Sequence, residues 1–151
     1  FEETIGLVIN HPSKIKLHEI IDDIPNSDFP VYIGGPVSKN SIHFIHSLGR
    51  LIPNSIKIYN GLYFGGDFDV VKDLLWKGKI NKENMRFFAG YSGWEANQLE
   101  DELKENSWIL KEKNLKLSMQ YSNKDYWSEI IRKMDKKYAI WANFPKNPSL
   151  N

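Results

Sequence analysis

The chain reads GYSGWEANQLEDEL over residues 90–103, directly behind an apolar, strand-like run at residues 85–90. Glycines beside aromatic residues indicate a tight turn, because glycine accepts backbone conformations that other residues avoid. Ser92 and Glu95 match the S-x-x-E capping box, in which both side chains accept hydrogen bonds from backbone N–H groups at the start of a helix. The stretch therefore predicts a strand that turns into a helix capped by Ser92.

Helical spacing continues behind this turn. Ala96, Leu99 and Leu103 recur on one side and are expected to face the core, while the acidic run at residues 100–102 is expected to face water. Carboxylates that act as an acid and a base must converge in a cleft, whereas those on consecutive helical positions point in different directions. We therefore interpret the acidic run as a solvated helix face.

The rest of the chain mixes short strands and helices. We predict strands over residues 4–10, 30–33, 41–46, 56–64 with a turn at Asn60-Gly61, 85–90, 108–110 and 115–117, and a last apolar segment at 138–144. We predict helices over 17–24, from the cap Asp67 to Gly78, and from the cap Ser122 to Lys133 with Trp127, Ile130, Ile131 and Met134 buried. Because several strands follow one another without a helix between them, the pattern favours a mixed sheet over a repeated βαβ array.

Composition limits the class of protein. The chain has 151 residues, of which 41% are hydrophobic, and this suits one globular domain. It contains no cysteine, which excludes disulfides and thiolate ligands and fits a reducing compartment such as the bacterial cytoplasm. No apolar run approaches the roughly 18 residues that a membrane-spanning helix requires. We therefore expect a cytoplasmic protein without membrane contact.

Charge gives little reason to expect nucleic acid as the partner. The net charge is +1, although residues 111–151 carry nine basic and four acidic residues. Lysine dominates the basic residues, whereas arginine is the preferred residue for bidentate contacts to phosphate and guanine. The helix predicted after Ser122 follows strand-like residues and has no short-turn partner helix, which a helix-turn-helix requires. Nucleic acid remains a possible partner that no motif supports.

Three groups of residues invite a chemical interpretation. His43 and His46 have the spacing of metal ligands, but positions three apart on a strand point to opposite faces, so we expect no metal site. Ser92 lies in a turn similar to a nucleophile elbow, but Trp94 stands where that motif has its second glycine. The glycine pairs at 34–35 and 65–66 lack the lysine of a phosphate loop, so we interpret them as tight turns. We expect no cofactor.

Four separated motifs together resemble the AlgH/YqgE-type family of bacterial proteins. They are GLVINHP at 6–12, GGPV at 34–37 followed by His46, GLY at 61–63 leading to Asp67, and GYSGW at 90–94 with QLE at 98–100. The family commonly has lysine or arginine where His11 stands, and often alanine where Ser92 stands. The ending from Phe144 to Asn151 is also similar, so the resemblance covers nearly the whole chain.

The resemblance implies a fold and little else. It implies a single α+β (mixed α/β) domain over residues 1–151, with a mixed, strongly bent and partly barrel-like sheet surrounded by helices. Family members carry further strand-like sequence before the motif at Gly6, and this chain starts at Phe1 without a methionine, so we expect its N-terminal strand or strands to be missing. The family has no established catalytic activity and is associated with transcriptional regulation in some bacteria.

These observations support three hypotheses about function. The first is a non-catalytic regulatory or interaction module with a protein partner, because glycine turns, aromatic residues, asparagine and histidine build a shaped surface rather than a catalytic group. The second is a regulator that binds DNA directly. The third is a small-ligand binder or enzyme with a pocket that contains His46, at a perturbed pKa, and Asn10. The surface predicted by the first consists of Asn10, His11, Gly34, Gly35, Pro36, His46, Tyr91, Gly93, Trp94 and Gln98.

Overall fold

The centre of the molecule is a β-sheet. The computed structural model describes residues 3–112, 114–120 and 126–143. Within these residues the strands are β1 (Thr4–Gly6), β2 (Pro12–Lys16), β3 (Pro30–Ile33), β4 (Val37–His46), β5 (Ile56–Tyr59), β6 (Leu62–Phe64) and β7 (Met85–Trp94). The helices are α1 (Phe68–Trp76), α2 (Gln98–Lys104), α3 (Leu115–Met119), α4 (Tyr126–Arg132) and α5 (Lys136–Ala139), with short 3-10 helices at Leu17–Glu19, Gly49–Leu51 and Ile140–Asn143.

The sheet is mixed, as predicted. In the described part of the chain its seven strands lie in the order β2-β3-β7-β4-β6-β5, with β1 paired to the end of β7. β3 runs parallel to β7, and the other pairs are antiparallel. The sheet does not close into a barrel, because β2 and β5 lie at opposite ends of this order.

The chain crosses over β7 between β3 and β4. These two strands pair with opposite sides of β7, and only the residues from Gly34 to Pro36 connect them. The backbone N–H of Gly34 donates to the carbonyl of Ala89 at 2.9 Å. A β carbon on Gly35 would lie 2.1 Å from the carbonyl carbon of Tyr91. The glycine pair therefore permits two backbones to touch, which only residues without a side chain allow.

Apolar side chains cover both faces of the sheet. On one face, Val31, Phe44, Met85 and Phe87 pack together with Val71 and Leu75 of α1, and all six are buried. On the other face, the buried cluster consists of Tyr32, Ile45, Leu62, Phe88 and Met119 of α3. Successive residues of β7, such as Phe87 and Phe88, thus enter different clusters, as expected for a strand with helices on both sides.

Several predicted elements are confirmed. The strands at 30–33, 41–46 and 85–90 are present, and the 56–64 region is the hairpin β5–β6 with its turn at Asn60-Gly61. The Asp67 carboxylate accepts hydrogen bonds from the backbone N–H groups of Asp69 and Val70 and so caps α1. Gly78 follows α1 with a φ of +64°. These features depend on local sequence, which explains why they could be predicted.

Other predictions are wrong near the N-terminus. The strand predicted at 4–10 is confined to β1, and the helix predicted at 17–24 is one 3-10 turn. Asp23 has a φ of +60°, which interrupts helical geometry, and the backbone N–H of Leu17 donates to the carbonyl of Phe29. The positive φ at Asp23 and the hydrogen bond to Phe29 therefore replace the predicted helix with a single turn.

The cap predicted at Ser92 is also wrong. Ser92 lies within β7, opposite Gly6 of β1, so pairing with β1 extends the strand to Trp94. The helix α2 starts at Gln98, after Asn97 with a φ of +66°, and the Gln98 side chain accepts a hydrogen bond from the backbone N–H of Glu95. Ala96 is exposed and does not face the core.

The C-terminal third is more helical than predicted. Residues 108–110 form no strand, and the residues predicted as a strand at 115–117 belong to α3, whose N-terminus is capped by the Asn114 side chain. The predicted cap Ser122 and Phe144 lie outside the described residues. In α4, Ile131 is buried as predicted, but 44% of Trp127 is exposed. The sequence argued against a helix-turn-helix because no helix was expected before α4. Since α3 precedes α4, that reason no longer applies.

No helix in the described residues is long and apolar enough to cross a membrane.

Candidate functional site

The structure separates the predicted surface into a buried part and an exposed part. Gly34 and Gly35 are buried where the chain crosses β7, while Pro36 beside them is exposed. His11 is exposed, and its carbonyl accepts a hydrogen bond from Ile33 next to this crossing. His46 belongs to a different part of the molecule, because it pairs with Met85 at the opposite end of β7 from Trp94. The ten residues therefore do not form one site.

His46 is a buried structural residue. Its Nε2 atom lies 3.0 Å from the hydroxyl of Ser55 and 3.0 Å from the carbonyl of Gly65, and its ring stacks on Tyr63. Burial lowers the pKa of His46, and the hydrogen bond to the Gly65 carbonyl opposes that shift. None of these contacts involves Asn10, so the pocket predicted from His46 and Asn10 is not supported.

His46 and Ser55 have hydrogen bonds unlike those of a catalytic pair. The backbone N–H of Leu48 donates to Nδ1 at 3.3 Å, so the proton of the neutral ring lies on Nε2. Nε2 therefore donates, and the Ser55 hydroxyl donates to the carbonyl of Ile52 at 2.7 Å. A serine nucleophile needs an unprotonated ring nitrogen that accepts its proton. This arrangement stabilises the turn after β4 and leaves Ser55 without a base.

His43 lies on the opposite face of β4, as the strand alternation predicted. Its ring stacks on Phe64 and contacts the edge of Tyr91 at 5.3 Å between centroids. Burial lowers the pKa of His43 as well. Because His43 and His46 point to different faces, they share no ligand. Among the described residues, no group of three His, Asp or Glu side chains is placed to hold a metal ion.

The exposed part of the predicted surface contains a hydrogen-bonded cluster around Glu102. The indole Nε1 of Trp94 donates to Oε2 of this carboxylate at 3.1 Å, and the indole Nε1 of Trp108 donates to the same oxygen at 2.8 Å. The Gln98 side chain donates to the other oxygen at 2.9 Å. The two indole rings meet edge to face, with centroids 5.7 Å apart. One carboxylate thus orients two tryptophans.

These contacts favour the ionised form of Glu102. The hydrogen bond from Trp108 lowers the pKa of this carboxyl most, followed by those from Gln98 and Trp94. All three donors are neutral, so the negative charge stays beside the two rings. Among the described residues, no lysine, arginine or histidine forms an ion pair with Glu102.

An apolar groove lies beside this cluster, with a volume of about 250 Å³. We call it the indole groove, and its walls are Thr4, Ile5, Gly6, Trp94, Leu99, Leu103, Trp108, Ile109 and Leu110. A β carbon on Gly6 would lie 2.7 Å from the Trp94 ring, so this glycine leaves the space that the ring occupies beside β1. Trp108 is 47% exposed and Leu110 is 74% exposed. Large apolar side chains therefore line a surface open to water.

The sequence predicts only part of the groove and of the Glu102 cluster beside it. It places Trp94 and Gln98 on a binding surface, but it places Trp108 on a strand and Glu102 on a solvated helix face. Gln98 and Glu102 are four residues apart, a spacing that places two side chains next to each other on a helix. This spacing, with a donor at one position and an acceptor at the other, was the signal in the sequence. No pattern among neighbouring residues indicates that Trp108 also donates a hydrogen bond to the Glu102 carboxylate.

Arg86 is a further buried group that sequence reasoning missed. Its guanidinium donates to the carbonyls of Ser118 at 2.8 Å and Ile9 at 2.6 Å and lies 4.4 Å from the centre of the Tyr32 ring. Arg86 thus connects β7 to the segment before β2 and to α3. Its side chain is fully buried, so its role is to hold these segments together.

Comparison with known proteins identifies the family of this chain. The AlgH-like family model, DUF179, matches residues 2–139. The chain belongs to the AlgH-like family. Two of the motifs that carried the resemblance meet at the indole groove, since Gly6 pairs with Ser92 and contacts Trp94. A third motif contains the glycine pair Gly34 and Gly35, which crosses β7 at Tyr91.

AlgH-like relatives and structures resemble nearly all of this chain. A UPF0301 protein of Bacteroides fragilis is 40% identical over 99% of this chain and 76% of its own length. A UPF0301 protein of Chlorobium limicola is 38% identical over 98% of this chain and 79% of its own length. The solution structure of the AlgH protein of Pseudomonas aeruginosa matches with a TM-score of 0.71 and 23% identity, over 96% of this chain and 79% of that one. A crystal structure of protein DIP2367 from Corynebacterium diphtheriae matches with a TM-score of 0.67 and 20% identity, over 94% and 76% of the two chains.

Proposed function

We propose that this protein is a non-catalytic regulatory or interaction module of the bacterial cytoplasm, and that it binds a protein partner at the indole groove. The observation that carries the proposal is the pair of tryptophans held by one carboxylate at the rim of an open apolar groove. Tryptophan is enriched among the residues that dominate binding energy at protein interfaces.

Rigidity supports this function. A side chain that is already ordered loses little conformational freedom when a partner binds, so more of the contact energy appears as affinity. Trp108 is ordered by its hydrogen bond to Glu102 and by its edge contact with Trp94, although almost half of it is open to water.

The chemistry of the other candidate residues supports the absence of catalysis. His46 uses both ring nitrogens in hydrogen bonds, and Ser55 beside it donates to a backbone carbonyl. Ser92 lies in a paired strand rather than at a sharp turn into a helix. The lack of cysteine supports a reducing compartment.

Comparative capture from bacterial lysate tests the proposal. The baits are the unchanged protein, the Trp108→Ala variant and a matched Trp127→Ala variant, whose tryptophan is 44% exposed on α4. Each lysate is treated with nuclease, and bound proteins are quantified by mass spectrometry. We expect one or more nuclease-resistant partners with the unchanged protein and with Trp127→Ala, and at least tenfold less of them with Trp108→Ala.

Two results would contradict the proposal. If Trp108→Ala retains every partner and remains folded by circular dichroism, the groove is not the binding surface. If the partners disappear on nuclease treatment, nucleic acid is the partner and the second hypothesis replaces the first.

Calorimetry measures the affinity for a captured partner once it has been purified. Loss of a central tryptophan is expected to weaken the binding free energy by about 2 kcal/mol or more.

A further inference from the structure

We infer that the indole groove receives a basic side chain, preferably arginine, of the protein partner. This inference rests on the proposed function and adds the chemistry of the partner. The guanidinium would lie beside the Glu102 carboxylate and against the exposed face of Trp108, with its alkyl stem in the apolar part of the groove.

The first support is the charge of Glu102. Its three hydrogen-bond donors are the neutral side chains of Trp94, Gln98 and Trp108, which stabilise the carboxylate without cancelling its charge. A glutamate carboxyl is charged at neutral pH, and these hydrogen bonds lower its pKa further. A cation from a partner would supply the missing opposite charge.

The second support is the orientation of the indole rings. Their N–H edges, which carry partial positive charge, already point at the carboxylate. The faces of an aromatic ring carry partial negative charge and attract cations. Gly6 lies against the six-membered ring of Trp94, whereas Trp108 is 47% exposed. Trp108 thus offers a surface on which a planar guanidinium can stack.

The third support is the apolar remainder of the groove. Leu99, Leu103 and Ile109 line it and offer no hydrogen bond from their side chains. Arginine and lysine bury their methylene stems on such surfaces while their charged ends reach a polar edge. Arginine suits this site better than lysine, because its guanidinium is planar and stacks on aromatic rings.

Charge complementarity extends beyond the groove. Residues 95–112, which form α2 and its flanks, carry six acidic and two basic residues. Within the described residues, the ion pair in this segment joins Lys104 to Asp101, which leaves a net excess of negative charge around Glu102. Such a surface attracts a basic segment and repels the phosphates of nucleic acid.

A titration followed by nuclear magnetic resonance tests this inference on the unchanged protein. The probe is the peptide Gly-Ser-Arg-Leu-Arg-Ser-Gly, and its matched control has citrulline, a neutral isostere, in place of each arginine. The indole N–H signals report each tryptophan separately once assigned with single Trp→Phe variants. We expect the arginine peptide to shift the signals of Trp94 and Trp108 and to leave those of Trp76, Trp127 and Trp141 in place.

The citrulline peptide is expected to bind at least tenfold more weakly, and raised salt is expected to weaken only the arginine peptide. The Glu102→Gln variant should lose most of this preference, whereas Glu105→Gln, an exposed acid of the same segment, should retain it. Because the peptide exchange is made on the unchanged protein, the result does not depend on whether a variant folds.

The outcomes separate this inference from the proposed function. Equal shifts with both peptides, or no shift of Trp94 and Trp108 at millimolar arginine peptide, would overturn the basic occupant. Capture of a partner that depends on Trp108 would then still support the interaction module. If the arginine peptide shifts all five indole signals equally, binding is not specific to the groove and the inference also fails.

Discussion

Gly35 passes over Tyr91 so closely that an added β carbon would lie 2.1 Å from the carbonyl carbon of Tyr91 and 2.3 Å from its oxygen. Both atoms belong to the backbone of β7, the strand with which β3, β4 and β1 all pair. The contact is the point at which the chain moves from one side of the central strand to the other. It therefore determines the sheet order.

Replacement of Gly35 by alanine should disrupt this crossing. The neighbouring atoms are backbone and cannot rotate away, so we expect Gly35→Ala to lower the free energy of unfolding by about 3 kcal/mol or more. Gly93→Ala is the matched control, because its β carbon would meet the Tyr91 ring at an ordinary 3.4 Å. Urea unfolding measures both variants. Equal stability of the two would contradict the crossing as described.

The stability of the protein should fall in mild acid because of His46. Burial lowers the pKa of this residue from its ordinary 6.5, so the unfolded chain binds more protons than the folded protein between 6.5 and the folded pKa. The contribution of His46 therefore leaves the free energy of unfolding at its highest above about pH 6.5. The free energy of unfolding falls as the pH drops from 6.5 to the pKa of His46 in the folded protein. Urea unfolding between pH 8 and pH 5 measures this dependence.

His46→Gln should be less stable at pH 8 but should show a weaker dependence on pH. Burial also lowers the pKa of His43, so this residue accounts for part of the pH dependence that remains in His46→Gln. The stability of the double variant His43→Phe and His46→Gln should therefore depend on pH even less. Identical pH profiles for the unchanged protein and His46→Gln would show that His46 is not desolvated in the folded state.

Arg86 should contribute strongly to stability although it lies far from the groove surface. Its replacement by methionine leaves the carbonyls of Ile9 and Ser118 without their guanidinium donors. Loss of two hydrogen bonds from a buried charged group is costly, so we expect a loss of about 3 kcal/mol or more in the free energy of unfolding. Arg50→Met, at an exposed arginine, should change stability by no more than about 0.5 kcal/mol.

Amide hydrogen exchange locates the effect of Arg86→Met. We expect faster exchange in the segment at residues 7–10 and in α3, the two regions that the guanidinium connects, and little change in α1. Uniformly faster exchange throughout the sheet would instead indicate a general loss of stability, without a specific connection.

Glu102 should control tryptophan fluorescence in acid. Because hydrogen bonds from Trp108, Gln98 and Trp94 lower the pKa of Glu102 below its ordinary 4.5, the unchanged protein should show a fluorescence transition centred below that value. Protonation of the carboxylate weakens its hydrogen bonds to the indoles and changes their emission. Glu102→Gln should abolish the transition and Glu105→Gln should retain it. A transition that survives in Glu102→Gln would assign it to another group.

The sequence predicted features that depend on neighbours along the chain. Asp67 caps α1 through backbone N–H groups two and three residues away, and the turn at Asn60-Gly61 joins two adjacent strands. The opposite orientation of His43 and His46 follows from strand alternation alone. The motifs identified the family, and with it the mixed sheet, because they run through the chain in family order.

Two of the wrong predictions share one cause, which is competition from distant residues. Ser92 and Glu95 fit a helix cap locally, but Ser92 pairs with Gly6 instead, a partner far away in sequence. The apolar residues at 115–117 suit a strand, yet Met119 packs from a helix against the sheet. Local preference is weak when tertiary contacts bury more apolar surface in another conformation.

By itself, the sequence determined the family, the mixed α+β class and the separate local elements, because turn, cap and periodicity signals act over a few residues. Only the tertiary structure decided which candidate residues share a site. It buried His46 at one end of β7 and joined Trp94 at the other end to Trp108 through Glu102. That grouping depends on the crossing at Gly35 and on the path of the chain after α2, neither of which is encoded in a local pattern.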